Sequence, residues 1–305
     1  SACIIKHAGG DNATKLVVDK VEETSTETMN ILTVTLKEVA RPFKVKLYYK
    51  AYKDCDVIKM SAEYINDGKK PIILQKYMSA ALPVKSEECW LMHIDGEHGS
   101  ENNETFEPLT EGVKVLSTME GGFPSRHNNA SFMLGTDNRI SETEGNVIAG
   151  TLAWTGNFHI EFINNMISKE PVIINAGINP TAADYTLDGK KSLMTPEMIF
   201  TYSSKGKGQA TRNLHYWARN HHILDGKEQR HILLNSWEGV RMNVTQTGMN
   251  SMMDDFAALG GEMFVMDDGW FGNKYARTDS QGLGDWEVCK ERLPEGIGKL
   301  IDYAH

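Results

Sequence analysis

Two adjacent carboxylates, Asp267 and Asp268, follow the wholly apolar run Met263-Phe264-Val265-Met266 and precede Gly269-Trp270. Such a run reads as a strand buried on both faces that emerges at the rim of a parallel barrel. Where the backbone turns at a strand end, neighbouring carboxylates can converge on one ligand and accept hydrogen bonds from adjacent hydroxyl groups. Trp270 and Trp286 could add an apolar platform for the face of a sugar ring. An isolated Asp-Asp-Gly is equally compatible with a solvated turn. The tryptophans and glycines around it favour a ligand site.

Five motifs follow one another along the chain: Asn235-Ser236-Trp237-Glu238, Leu259-Gly260, Val265-Met266-Asp267-Asp268-Gly269-Trp270-Phe271-Gly272, Leu283-Gly284-Asp285-Trp286 and Leu293-Pro294-Glu295-Gly296. Together they resemble the alpha-galactosidases of glycoside hydrolase family 36. The upstream half agrees more loosely, through Ser125-Arg126-His127, Trp154-Thr155-Gly156-Asn157-Phe158, Thr195-Pro196-Glu197 and a helix around His215 and Trp217. The resemblance implies a retaining glycoside hydrolase that releases terminal alpha-linked galactose from oligosaccharides such as melibiose or raffinose. It implies that Asp267 and Asp268 bind galactose hydroxyls, that Trp237 lines the sugar subsite and that Asp285 and Trp286 support it. It also implies a homo-oligomer at full length, with the sandwich helping to wall the site.

A retaining mechanism needs one carboxylate to attack the anomeric carbon and a second carboxyl to protonate the leaving oxygen, the two facing each other about 5 Å apart. Adjacent residues such as Asp267 and Asp268 are poorly placed for that. The resemblance puts both catalytic groups on later barrel strands, the first in a Lys-x-Asp stretch, and nothing after the Met263 strand matches it. A closed barrel takes about 250 residues, whereas about 75 run from His231 to the last residue. The expectation is therefore a fragment without catalytic residues of its own, its nucleophile and acid/base lying beyond His305. The stretch Gly239-Val240-Arg241-Met242-Asn243 departs from the aromatic and acid usual in the family, so the next helix is expected to start differently.

The elements that must carry these residues follow from the hydrophobic pattern. Period-two runs such as Leu32/Val34/Leu36, Phe43/Val45/Leu47, Ile58/Met60/Ala62/Tyr64, Phe158/Ile160/Phe162 and Met198/Phe200/Tyr202 predict an antiparallel, many-stranded β-sandwich over 1–205. His159 and Glu161 should face the other way, and Asn66-Asp67-Gly68 should form a turn able to take positive φ. Helical spacing of Leu214, Trp217, Ala218 and His221 predicts a linker helix within 206–228, after a flexible Ser203–Gly208 turn. Asp225 stands four residues beyond His221, but adjacent His221 and His222 diverge by about a hundred degrees on a helix, so no metal site is expected there. From 229 to 305 the pattern becomes strand, helix, strand, helix: Ile232-Leu233-Leu234, then Met249/Met252/Met253/Phe256/Ala257, then the Met263 strand, then Ile297/Leu300/Ile301/Ala304. That is the start of a (β/α)8 barrel, with function at the carboxyl ends of its strands.

Composition excludes several classes. The 305 residues carry a net charge of −9, and no basic run exceeds two residues, which argues against a nucleic-acid or anionic-membrane partner. No apolar stretch is long enough to span a bilayer. Cys3, Cys55, Cys89 and Cys289 are dispersed and read as free thiols of a reducing, cytoplasmic compartment, with no cofactor and no metal site indicated. A non-catalytic carbohydrate-binding protein is the alternative of a different class, and a metal-dependent hydrolase built on Asp267, Asp268 and a histidine is a third.

Overall fold

Alternating apolar residues put one face of most amino-terminal strands against a partner sheet, and the computed structural model shows both sheets. It describes residues 1–305 apart from 87, 121–126, 137, 138, 166, 168, 169 and 273. Among the described residues, Cys3–Lys6, Ile72–Val84, Val172–Ile178, Phe158–Asn164 and Gly112–Ser117 follow one another in a six-stranded antiparallel sheet, whose sixth strand, Tyr185–Leu187, also pairs with Ile72–Val84. A ten-stranded sheet includes Met29–Glu38, Phe43–Tyr52, Val57–Asn66, Met198–Ser203 and Asn146–Leu152. Phe158, Ile160, Phe162 and Ile174 of the smaller sheet pack against Leu91, Phe132, Leu134, Met198 and Phe200 of the larger in one core. A second core joins Ile5, Ile72 and Leu74 to Phe43, Val45, Ala62 and Tyr64. The expected β-sandwich is thus present.

Several local expectations change. The turn at Asn66 forms, with Gly68 N–H donating to Asn66 Oδ1 at 3.0 Å, but none of Asn66, Asp67 or Gly68 takes a positive φ. Glu161, opposite the core-facing residues of its strand, is nevertheless buried: Lys76 Nζ lies 2.6 Å away, Asn175 Nδ2 donates at 2.7 Å and His159 Nε2 stands at 3.1 Å. The Ser203–Gly208 segment is not a free turn. Gly206, at φ +70°, swings the chain from the Met198–Ser203 strand straight into a helix, Gly206–Trp217. A Cβ at that position would sit 2.6 Å from the Ser141 carbonyl oxygen, so glycine is needed there. The helix packs on the sandwich: Ala210 meets Ile140, Val147 and Ala149, and Trp217 meets Val57 and Ile199. The chain accordingly divides into Ser1–Gly226 and Lys227–His305, with the helix belonging to the first unit. Ser125, Arg126 and the His127 side chain, together with Gly121 and Gly122 of the polar loop, lie outside the described residues.

The second unit has a two-stranded parallel sheet, Leu233–Asn235 beside Met263–Val265, flanked by helices Trp237–Val240, Gln246–Ala258 and Ile297–Ala304. Its core is Val244, Met249, Met253, Leu293 and Leu300, with Phe264, Met266 and Trp270 packed against it. Burial on both strand faces is not observed: Ile232, Leu233 and Met263 are about half exposed, because the helical core covers one side of a narrow sheet. Ile301 is likewise exposed while Leu300 is buried. No helix among the described residues is long and apolar enough to cross a membrane.

Candidate sugar-binding site

Parallel pairing places the carboxyl ends of both short strands side by side, in the register Leu233 with Met263 and Asn235 with Val265. Hydrogen bonds lock the two ends together. Ser236, fully buried, donates its N–H to the Val265 carbonyl at 2.9 Å and accepts the Asp267 N–H on its hydroxyl at 3.1 Å. Asn235 Nδ2 donates to Asp267 Oδ2 at 2.7 Å, and Asn235 Oδ1 accepts the Trp237 N–H at 2.8 Å. Trp237, Asp267 and Asp268 are therefore brought to one rim by the two strands.

The aspartates are held by their own turn. Asp267 Oδ1 accepts from Asp268 N–H at 2.6 Å, and Asp268 Oδ1 accepts from Gly269 N–H at 2.8 Å. Gly269 sits at φ +106°, and a Cβ there would meet the Met242 backbone at 2.8 Å, so the tight reversal after Asp268 requires glycine. Arg277, 8% exposed, pairs with Asp268 Oδ2 at 3.2 Å. Arg292 donates to the carbonyls of Gly269 at 2.6 Å and of Met242, fastening the loop to the first strand's connection. Each carboxylate oxygen thus has one fixed partner, and an ionised carboxylate offers about four acceptor sites, so both side chains keep acceptor capacity for hydroxyl donors.

The aromatic residues gather separately within the same unit. Trp286 lies 4.7 Å from Phe271 and 6.4 Å from Trp270, ring centre to ring centre. Trp270 is partly spent on the hydrophobic core, whereas Trp286 is 69% exposed and presents an open ring face. Asp285 is exposed, and among the described residues no hydrogen bond or ion pair engages its side chain. Arg277 and Arg292 were not singled out from the sequence; their one signal is that they are cations in a loop that already holds two adjacent acids.

This arrangement can accept hydrogen bonds from neighbouring hydroxyls. It does not form a retaining catalytic pair, which needs carboxyls from different segments facing each other at about 5 Å.

The comparisons with known proteins agree across the whole length. The Glycosyl hydrolase family 36 N-terminal domain matches residues 1–188, and the Melibiase domain matches residues 192–305. Alpha-galactosidase Mel36A of Lactobacillus acidophilus is 30% identical over 90% of this chain, which spans 37% of that protein. Alpha-galactosidase 1 of Pediococcus pentosaceus is 25% identical over the full chain, which spans 43% of it. Among solved structures, the alpha-galactosidase AgaA of Geobacillus stearothermophilus superposes with a TM-score of 0.91 at 25% identity, covering 99% of this chain and 44% of that one. The two family models together take in nearly the whole chain and the fold is shared with the solved relative, so the chain belongs to glycosyl hydrolase family 36.

Proposed function

We propose that this chain works within an alpha-galactosidase and supplies the rim that recognises the terminal galactose. Asp267 and Asp268 accept hydrogen bonds from neighbouring galactose hydroxyls, Trp237 lines the subsite, and the open face of Trp286, braced by Phe271 and Trp270, stacks on sugar. Asp285 supports the same loop. The observation that carries this reading is the fixed presentation of Asp267 and Asp268 at the joined ends of two parallel strands, through Asn235, Ser236 and Arg277. A variant of AgaA has been solved with stachyose, an oligosaccharide of the class this reading assigns as substrate. The nucleophile and the acid/base are contributed by residues other than those gathered here, and no cofactor takes part.

The oligosaccharide substrates are alpha-galactosides such as melibiose and raffinose, neutral molecules that suit a chain of net charge −9. Assembly as a homo-oligomer is part of the proposal, as is a cytoplasmic location. Isothermal titration of the chain with melibiose and with galactose, repeated for Asp267→Ala and Asp268→Ala, tests the reading. Binding that both substitutions abolish supports it, and binding that neither alters removes the assignment.

A further inference from the structure

The metal site that the sequence could not complete around His221 gains two partners from the far side of the chain. The strands Phe43–Tyr52 and Val57–Asn66 are joined by a short turn containing Asp54 and Cys55, in which Val57 N–H donates to the Cys55 carbonyl at 2.9 Å. The helix Gly206–Trp217 runs onto this turn and ends in one π-helical turn, Ala218–His222, an irregularity that recurs at functional sites. Trp217 packs with Val57, Ile199, Tyr52 and Cys55, which fixes the helix end over the hairpin tip.

The result is a convergence of three unlike donors. His221 Nε2 lies 2.9 and 3.1 Å from the two oxygens of Asp54, and the ligand atoms of Asp54, Cys55 and His221 all fall within 4.8 Å of one another. The Tyr52 ring lies against the imidazole at 4.4 Å between centres, tilted by 39°, and limits its movement. Among the described residues no lysine or arginine pairs with Asp54, so the carboxylate has no competing cation. Cys55 also lines a cleft of about 820 Å³, which gives a solvent ion a way in.

We propose that Asp54, Cys55 and His221 bind a divalent transition-metal ion of the zinc class, with solvent at the fourth position. One nitrogen, one sulfur and one oxygen ligand are the donor set that tetrahedral zinc accepts, and a thiolate beside an imidazole disfavours magnesium and calcium. The ion takes the place of the His221–Asp54 hydrogen bond, binding Nε2 of the neutral imidazole with its N–H on Nδ1, and displaces the thiol proton of Cys55 to solvent. The role is structural: the ion staples the hairpin tip at Asp54 and Cys55 to the end of the helix that begins at Gly206, far along the chain.

Cobalt(II) titration of the chain reads the ligands directly. One equivalent should give tetrahedral visible bands and a thiolate-to-cobalt charge-transfer band. Cys55→Ser should abolish the charge-transfer band, His221→Gln should weaken binding by about tenfold or more, and Cys3→Ser should change neither. As a second measurement, zinc should raise the melting temperature of the unaltered chain and not of Asp54→Asn, whose exposed side chain leaves the fold intact. Absence of the charge-transfer band, or its persistence in Cys55→Ser, overturns the proposal and leaves a plain Asp54–His221 ion pair.

Discussion

The Asn235 side chain spans the ends of two neighbouring parallel strands, donating to Asp267 Oδ2 at 2.7 Å while it accepts the Trp237 N–H at 2.8 Å. One amide thus orients the residue proposed to grip galactose and starts the helix that carries the proposed subsite tryptophan. Substituting Asn235→Asp sets a second carboxylate against Asp267 and removes the donor. Galactose affinity is expected to fall about tenfold, or ~1.4 kcal/mol, measured by calorimetric titration, while circular dichroism stays unchanged.

Arg277 is the ionic partner of Asp268 and is buried, so its loss leaves a carboxylate oxygen without its cation. Asp268 is 24% exposed, which lets water replace part of the interaction. Arg277→Gln is therefore expected to cost about 2 kcal/mol in urea unfolding, below the 3–5 kcal/mol typical of a fully buried pair. Sugar affinity should fall with it, because the Asp268 side chain is then free to turn.

Glu161 gives the sandwich a defined acid limit. Burial pushes its carboxyl up, but hydrogen bonds from Lys76, Asn175 and His159 outweigh burial and bring it down to about 2. A folded-state value below the unfolded one means that the stabilisation is fully present above the unfolded value, near 4.5, and is lost as pH falls toward 2. Unfolding free energy should drop by roughly 2–3 kcal/mol across that window. Glu161→Gln should be less stable at neutral pH and show a flatter acid limb, followed by urea denaturation at a series of pH values.

Trp286 separates binding from stability. Its ring is largely exposed, so Trp286→Ala should change unfolding free energy by only about 0.5 kcal/mol. Loss of its stacking face should nonetheless weaken sugar binding by about 1 kcal/mol. Quenching of tryptophan fluorescence by added melibiose should shrink in the same variant.

The parts legible in the sequence were those encoded locally. Phe158, Ile160 and Phe162 alternate within one strand, and all three reach the sandwich core as their period requires. Asp267 and Asp268 close a contiguous apolar run, so their place at a strand end could be read directly. Glu161 could not be read so, because the residues that bury it come from the Ile72–Val84 and Val172–Ile178 strands. The half-exposed Leu233 and Met263 show the same limit from the other side: an apolar run specifies a strand, while its burial depends on how many neighbours cover it. Arg277 and Arg292 act through a loop that folds back onto Asp268 and Gly269, a closure that spacing alone does not record. Asp54 and His221 meet only because a helix end packs on a distant hairpin.

Galactose recognition by Asp267 and Asp268 is read most directly by saturation-transfer nuclear magnetic resonance of galactose with the chain, for the unaltered protein and for Asp267→Asn with Asp268→Asn. Transfer to the galactose ring protons is expected in the unaltered protein and should be lost in the double substitution while the fold, followed by circular dichroism, persists. Equal transfer in both proteins would contradict it, because the paired carboxylates would then have no part in holding the sugar.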